Sequence, residues 1–292
     1  MKVIPLASDS MGIRSMATYI ETRDIKILID PSAAIADRRY GMSPHKKEEE
    51  VCKKTKEKIA KYANKSDILT ISHFHYDHFD PDEKFYKGKK IFLKDIDKKI
   101  NKSQKKRGKH FIEKIEKKCE INICDESNYI YKDTNITFST PFYHGPEKIR
   151  LGFVVMTTVE EGDKKILHSS DVQGPVSKDA TDYIITQKPD LIILDGPPTM
   201  LLGWRFSKKN LELASENLVN IIKKTKAKII LDHHLLRDKK YKQIFPEPYK
   251  VGKDRLKTFA EYLGKENNTL EAKRKDLWRQ DHEFRKEITK GN

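Results

Sequence analysis

Three histidines and an aspartate crowd into the segment ILTISHFHYDHFDP, residues 68 to 81, as His73, His75, Asp77 and His78. The apolar run Ile68, Leu69, Thr70, Ile71 comes directly before them, so a short strand delivers all four from one loop at its carboxyl end. α/β layers gather their chemistry at that end. Imidazole nitrogen and carboxylate oxygen are the donors that a borderline divalent cation takes. A lone histidine in such a turn reads best as a solvated polar residue. Four donors at this spacing do not, because burying them without a cation would leave several polar groups unpaired. His73 and His75, two apart in an extended segment, point the same way and can pinch one ion. Asp77 and His78 lie past the bend and diverge, which assigns them to a second ion a few ångströms away.

Two ions need further donors, and three other strand ends offer them. His144 lies in STPFYHGPE, after the strand-like Thr137, Phe138 and Ser139 and before the loop residues Gly145 and Pro146. Asp171 lies in KKILHSSDVQGP, after Ile166 and Leu167 and before a second Gly-Pro break. His233 lies in AKIILDHHLL, after Ile229, Ile230 and Leu231. Each repeats one design, a short buried strand with a ligand-type residue at its end. His234 competes with His233 for this role. Ser72 separates His73 from its strand as Asp232 separates His233, and this shared phase favours His233, leaving His234 to support a ligand or to donate a proton. Asp30, closing KILIDPS, and Asp195, closing LIILDGPP, end apolar strands too. They read either as acceptors for the second N–H of a metal-bound imidazole or as ordinary turn residues. His45, His110, His168 and His282 stand in charged or small polar surroundings and carry no such signal.

The order His73-x-His75-x-Asp77-His78, then His144, Asp171 and His233, resembles the metallo-β-lactamase superfamily over nearly the whole chain. More narrowly, the phrases LIDPS, SHFHYDH, HSSDVQGP and LDHHLLRD look like a largely archaeal family of predicted hydrolases in that superfamily. The resemblance implies an α+β fold, the four-layer αββα sandwich, without a large inserted domain. It also implies two divalent metal ions, with Zn2+ favoured and Mn2+ or Fe2+ compatible with the same donors. By position, His73, His75 and His144 would hold one ion, Asp77, His78 and His233 the other, and Asp171 would bridge them. Two cations sharing a water lower its pKa, so the expected reaction is hydrolysis by a bridging hydroxide at a carbonyl carbon or a phosphorus. Asp77 and His234 are the candidate catalytic side chains.

Departures from the superfamily pattern narrow this expectation. His78 and the bridging Asp171 stand where antibiotic-hydrolysing relatives tend to have Arg or Cys and then Cys, so a β-lactamase is not expected. His75 stands where diiron oxygen-reducing relatives have Glu, and no flavodoxin-like domain follows. Residues 172 to 232 contain no histidine, which excludes the nuclease subgroup whose long insertion carries one.

The scaffold follows from periodicity. Residues 2 to 8, 17 to 22 and 25 to 30 read as an antiparallel strand series, 47 to 63 as a helix with Val51, Thr55, Ile59 and Tyr62 on one side, and 68 to 72 as the motif strand. Further strands are expected near 128 to 140, 151 to 158, 164 to 168, 190 to 195 and 228 to 232, with helices near 178 to 187 and 207 to 225, the latter capped by Ser207. Leu270, Leu277 and Phe284 recur every seven residues on a charged tail helix, a docking face too short for a coiled coil. No linker divides residues 1–292, so one domain is expected. The amino terminus lacks a secretory signal and no apolar run reaches membrane length, so a cytoplasmic protein without membrane contact is expected, its oligomeric state open. Cys52, Cys119 and Cys124 form no CxxC pair and are odd in number, and Cys52, which shares a helical face with Ile59 and Ala63, reads as a reduced core thiol.

A net charge of +15, with 35% of residues charged, calls for two readings. One is nucleic acid or another polyanion as partner, through the basic residues 98–109: Lys98, Lys99, Lys102, Lys105, Lys106, Arg107 and Lys109. The other is thermophilic surface chemistry, rich in both Lys and Glu. No aromatic residue interrupts 98–109, so no base-stacking platform is read there. The function classes are then a phosphodiesterase or nuclease, a small-molecule hydrolase acting on a lactone, an ester or a phosphorylated sugar derivative, and, third, a non-catalytic binding protein.

Overall fold

The computed structural model describes residues 1–147 and 150–290, with side chains described through residue 282. Six short strands, Lys2–Pro5 (β1), Thr18–Glu21 (β2), Lys26–Ile29 (β3), Ile68–Ile71 (β4), Lys90–Leu93 (β5) and Glu120–Ile123 (β6), make one sheet in chain order. The first three are antiparallel neighbours, and β3 to β6 run parallel. A hairpin of Asn128–Tyr131 (β7) and Thr134–Phe138 (β8) opens the second sheet. Phe142–Tyr143 (β9) and Phe153–Val154 (β10) pair as a separate ribbon. Thr157–Glu161 (β11), Lys164–His168 (β12), Leu191–Asp195 (β13), Lys228–Asp232 (β14) and Leu256–Lys257 (β15) complete the second sheet in the order β15-β14-β13-β12-β11-β8-β7.

Strands this apolar must bury both faces, and residue parity shows where each face goes. Ile27 and Ile29 of β3 and Phe92 of β5 join Phe138, Val159, Ile193 and Ile230 in a core between the two sheets. Their neighbours Leu28, Ile91 and Leu93 turn the other way, onto Ile59 and Ala63 of Lys46–Lys65 (α1) and Phe111 and Ile115 of Lys102–Ile115 (α2). In the second sheet Ile192, Leu194, Ile229 and Leu231 face Ala180 and Ile184 of Lys178–Gln187 (α3) and Ala214, Leu218 and Ile221 of Lys208–Lys224 (α4). Three apolar layers therefore separate four layers of elements, the expected αββα sandwich. Each fully buried Leu, Ile or Phe in them contributes about 1.5 to 3 kcal/mol relative to exposure.

Local signals set the helix ends. His45 caps α1: its Nδ1 accepts from the Lys47 amide at 3.2 Å, while Glu48 accepts from the His45 amide at 2.9 Å. Glu48 also takes a two-pronged hydrogen bond from buried Arg274, which ties α1 to the carboxyl-terminal helix Leu270–Lys290. Ser207 caps α4 through its hydroxyl, as its position suggests. Leu270 and Leu277 are buried, so the tail helix does use its heptad face against its own fold, whereas the Phe284 side chain lies outside the described residues.

Besides the ribbon strand β9, β15 and the short helices Tyr241–Ile244, Pro246–Gly252 and Phe259–Tyr262, the periodicity reading misses β5, β6 and α2. The two strands are only four residues long, and the apolar positions of α2 are few among its lysines, so neither period stands out. The basic segment 98–109 is thus a short entry loop followed by the first half of a helix. Among the described residues, no helix is long and apolar enough to cross a membrane.

Candidate metal centre

The residues flagged by chemistry lie at or just past the carboxyl end of a strand, His144 past the ribbon strand β9. Asp30 follows β3, Ser72 and His73 follow β4, Ser170 and Asp171 follow β12, Asp195 ends β13, and Asp232 and His233 end and follow β14. The two sheets bring these ends together. Asp30, Ser170 and His233 all adopt left-handed backbone, with φ of 50°, 54° and 62°, a conformation that costs about 1 to 3 kcal/mol for residues other than glycine. Surrounding hydrogen bonds enforce it. The Asp30 carboxylate, for example, accepts from the Ser72 amide at 2.8 Å, the Ser72 hydroxyl at 2.7 Å and His78 Nδ1 at 2.8 Å.

The seven expected ligands converge on one another. His73, His75, His144 and Asp171 offer atoms that all lie within 4.8 Å, and so do Asp77, His78 and His233. Asp171 stands between the two groups and addresses both with different oxygens. Its Oδ2 is 3.0 Å from His144 Nε2 and 3.6 Å from His73 Nε2, while its Oδ1 is 3.0 Å from His78 Nε2 and 3.5 Å from His233 Nε2. Asp77 reaches the second group from the rim, its Oδ2 lying 3.6 Å from His233 Nε2. His73 Nε2 and His75 Nδ1 are 3.0 Å apart.

His78 Nε2, His144 Nε2 and Asp171 Oδ1 are buried and yet make no hydrogen bond, although they sit only 3 to 4 Å from potential partners. Buried polar atoms are rarely left so. Atoms crowded at this spacing without donor-acceptor geometry could hold a cation, and the two groups flank one shared carboxylate. The donor set, imidazole nitrogens and carboxylate oxygens, fits Zn2+, Mn2+ or Fe2+.

The nitrogens turned away from the cluster are mostly held by neighbours, which fixes the tautomer each ring presents. His78 Nδ1 meets Asp30, His233 Nδ1 meets Asp9 Oδ2 at 2.8 Å, and His234 Nδ1 meets Asp195 Oδ2 at 2.9 Å. His73 Nδ1 faces the Ser72 and Ser170 hydroxyls at 3.0 and 3.2 Å. His144 Nδ1 has no hydrogen-bond partner. Asp30 and Asp195 thus act as imidazole acceptors, the first on His78 and the second on His234. Asp232 spends its oxygens elsewhere, on Ser8, on the amides of Ser10, His233 and Phe259.

Electrostatics follow the same division. Burial pushes His73 well down and His75 to about 3, so both are neutral and able to coordinate. Burial also disfavours charge on His78 and His233, but Asp171 outweighs it, with help from Asp30 on the first and Asp9 on the second. The His233 pKa rises to about 10. A proton on these rings is the answer of a cation-free carboxylate cluster, and a bound cation would displace it. Burial, helped by the like charge of Asp171, pushes Asp195 up to about 7 against the opposing pull of His233.

His234 joins Asp171 and His233 within 4.8 Å, so both histidines border the centre. His233 faces Asp77 and Asp171, and its ring lies 5.4 Å from that of His78, whereas the ring of His234 lies 5.8 Å from that of His144. Two participants were not read from sequence. Asp9 sits in a short turn, Asp9–Met11, after the first strand, and the strand-end rule applied to PLASDSMG would have flagged it. Arg237, buried, donates from Nε to Asp9 Oδ1 at 2.9 Å and brings Nη2 to 3.1 Å from His233 Nε2, and no pattern in the sequence announces it.

The remaining histidines take structural places. His168 Nε2 contacts the Met16 carbonyl at 3.0 Å, His45 is a helix cap, and His110 and His282 are exposed.

No family model matches the chain. Among solved structures it is similar to a possible metal-dependent hydrolase from Veillonella parvula, with TM-score 0.54 and 14% identity over 84% of this chain and 94% of that one. It is also similar to the metallo-β-lactamase fold protein YhfI from Bacillus subtilis, with TM-score 0.51 and 16% identity over 82% and 85%. These likenesses establish the metallo-β-lactamase fold. In sequence it is 46% identical to a UPF0282 protein of Methanocaldococcus jannaschii over 95% of this chain and 96% of that one. It is 41% identical to a UPF0282 protein of Methanopyrus kandleri over 95% and 99%. With identity of this level running almost end to end, the chain belongs to the UPF0282 family.

Proposed function

We propose that this protein is a metal-dependent hydrolase that uses two divalent cations, Zn2+ by preference, to cleave a phosphodiester. The observation that carries the reading is Asp171, whose two buried oxygens face two separate sets of donors. His73, His75 and His144 would hold one cation, Asp77, His78 and His233 the other, and Asp171 would be shared. When bound, such a pair supplies a nucleophile at neutral pH and steadies charge developing on the substrate. The chain's own residues do the rest. Asp30 and Asp9 fix the tautomers of His78 and His233. Asp77, with 15% of its side chain exposed, is the acid nearest the solvent side of the centre and can orient an incoming group. His234 can carry its proton on Nε2 when the Asp195 carboxyl supplies the hydrogen of the Nδ1 contact, and can hand it to the leaving alkoxide as Nδ1 takes up the Asp195 proton.

Charge favours a phosphate substrate. The side chain of Gln104 in α2 accepts from the Phe74 amide at 3.2 Å, so the basic helix braces the loop that carries His73 to His78. Lys102, Lys106 and Lys109 are exposed on that helix, and an anionic chain bound along residues 98–109 would end beside the centre. The reading of residues 1–292 as one domain is supported by the meeting of Asp9, His78, Asp171 and His233 from both halves of the chain. Three free cysteines among the described residues suit a reducing, cytoplasmic setting.

Hydrolysis of bis(p-nitrophenyl) phosphate tests the reading. Activity should vanish on chelation, return with added Zn2+ or Mn2+, and be absent from the double variant His73→Ala, His75→Ala. Full activity in the chelated protein would contradict it. Turnover of a neutral lactone or ester that ignores salt, with no phosphodiester cleavage, would point instead to the small-molecule alternative.

A further inference from the structure

Among the described residues, four aromatic side chains are more than a third exposed: Tyr40, Tyr76, Trp204 and Tyr262. Three of them carry a guanidinium over the ring. Arg39 lies 4.5 Å from the Tyr40 ring centre, Arg107 4.8 Å from that of Tyr76, and Arg205 4.1 Å from that of Trp204. Each of these pairs is attached to a segment that builds the metal centre. Tyr76 lies between His75 and Asp77, with its carbonyl held by the Ser32 hydroxyl at 2.7 Å. Arg39 donates to the carbonyl of Arg237, the last residue of the turn that begins at His233. Trp204 stands on the loop that follows Asp195, and the turn Thr199–Leu201 of that loop packs against His233–Arg237.

The Trp204 loop is closed on itself by its own hydrogen bonds. The Leu201 carbonyl accepts from the amides of Trp204, Arg205 and Phe206, each at 3.1 Å, and the Gly203 amide closes back on the Phe206 carbonyl at 3.0 Å. Phe206 is buried in the core beneath, while Leu202 and Trp204 point outward, the latter 72% exposed. An indole displayed in this way is preorganised to be covered, which spares a partner much of the ordering cost of binding.

The partner's chemistry follows from the pairing. An aromatic patch alone would suit an apolar surface, and lysines alone would suit any polyanion, including an intact duplex. A ring with a guanidinium over one face leaves the other face to a planar base and sets the cation near the adjoining phosphate, and only an unstacked strand presents both; Tyr76 also stacks on Phe79 at 5.5 Å, so Trp204 is the principal platform. The chain's net charge of +15 and the exposed Lys102, Lys106 and Lys109 next to Arg107 extend the same preference along α2. Resting on the phosphodiesterase reading, we infer that the rim formed by Tyr40, Tyr76 and Trp204 with Arg39, Arg107 and Arg205 binds single-stranded nucleic acid by base stacking.

The chain has two tryptophans, so Trp278→Phe leaves Trp204 as the sole indole reporter. In that background, Trp204 fluorescence is titrated with a single-stranded RNA 12-mer, an abasic 12-mer of equal charge, and a duplex of equal length. The base-bearing strand should quench Trp204 and bind at least about fivefold more tightly than the other two, since stacking is worth about 1 to 3 kcal/mol per base. By anisotropy of labelled RNA, Trp204→Ala should weaken binding about 5- to 100-fold, and Trp204→Phe should recover part of the loss. Equal affinity for the abasic strand or the duplex would overturn the inference, as would unchanged binding by Trp204→Ala. Hydrolysis of bis(p-nitrophenyl) phosphate by the parent protein reports separately on the catalytic reading. If it occurs while base-dependent binding does not, the rim assignment alone fails.

Discussion

Replacing Asp9 by asparagine should weaken the second cation and leave the first in place. Asp9 Oδ2 accepts from His233 Nδ1 at 2.8 Å, and Oδ1 accepts from Arg237 Nε at 2.9 Å. An amide keeps one acceptor, so either the His233 N–H or the Arg237 N–H must face an NH2 group. If His233 loses its acceptor, its tautomer is no longer fixed and its Nε2 is a poorer donor. Loss of an imidazole's supporting carboxylate typically weakens metal binding about 10- to 100-fold, or about 1.4 to 2.7 kcal/mol. No hydrogen bond joins Asp9 to His73, His75 or His144, so the first cation should bind as in the parent. Stepwise titration of metal-free protein with Zn2+ against a chromophoric chelator resolves the two constants, and a melting curve of the metal-free variant separates binding from folding. A uniform loss at both sites, or none at either, would refute the reasoning.

Three further outcomes follow from the packing and charge. His233→Ala should bind one cation fewer than the parent, whereas His234→Ala should retain both and lose turnover; metal analysis of the two purified variants decides which histidine is the ligand. Alanine at Gly108 would normally favour a helix by about 1 kcal/mol. Here its Cβ would meet Ile96 Cγ2 at 2.7 Å and Phe74 Cε2 at 3.0 Å, so overpacking wins, and Gly108→Ala should destabilise by about 1 to 3 kcal/mol in urea unfolding and loosen the metal loop. Glu271 is buried, which favours its neutral form, but the Arg14 fork at 2.5 and 2.6 Å, with Arg237 and Arg39 nearby, outweighs burial and holds its pKa at about 2. Its contribution, about 3 kcal/mol from that shift below 4.5, is present above pH 4.5 and is lost as pH falls through 2. Glu271→Gln should therefore be less stable than the parent at pH 6 and approach it near pH 2, and a gap unchanged between the two would refute the assignment.

The centre was legible where chemistry sits in sequence. His73, His144, Asp171 and His233 each end or follow a strand, so residue type and position in the period pointed to the same place. The αββα sandwich came from the resemblance to the metallo-β-lactamase superfamily, and strands as apolar as KILI, ILTI and LIILD, each with a single polar residue, fit sheets covered on both faces. What stayed hidden depends on distance along the chain. Asp9 reaches His233 across 224 residues, and nothing near either announces the other. Arg237 is one arginine among many until the fold buries it. The basic stretch 98–109 lacked an aromatic in sequence, yet α2 lays Arg107 over Tyr76, so the π-face came from the metal loop. The helix itself was obscured because Phe111, Ile112 and Ile115 are outnumbered by lysines whose role is to stay in water.

An anomalous-difference map from crystals grown with Zn2+ tests the centre most directly. Two peaks per chain are expected, one among His73, His75, His144 and Asp171 and one among Asp77, His78, Asp171 and His233, a few ångströms apart. A map with no peak between these side chains, or with metal held only elsewhere on the surface, would contradict it.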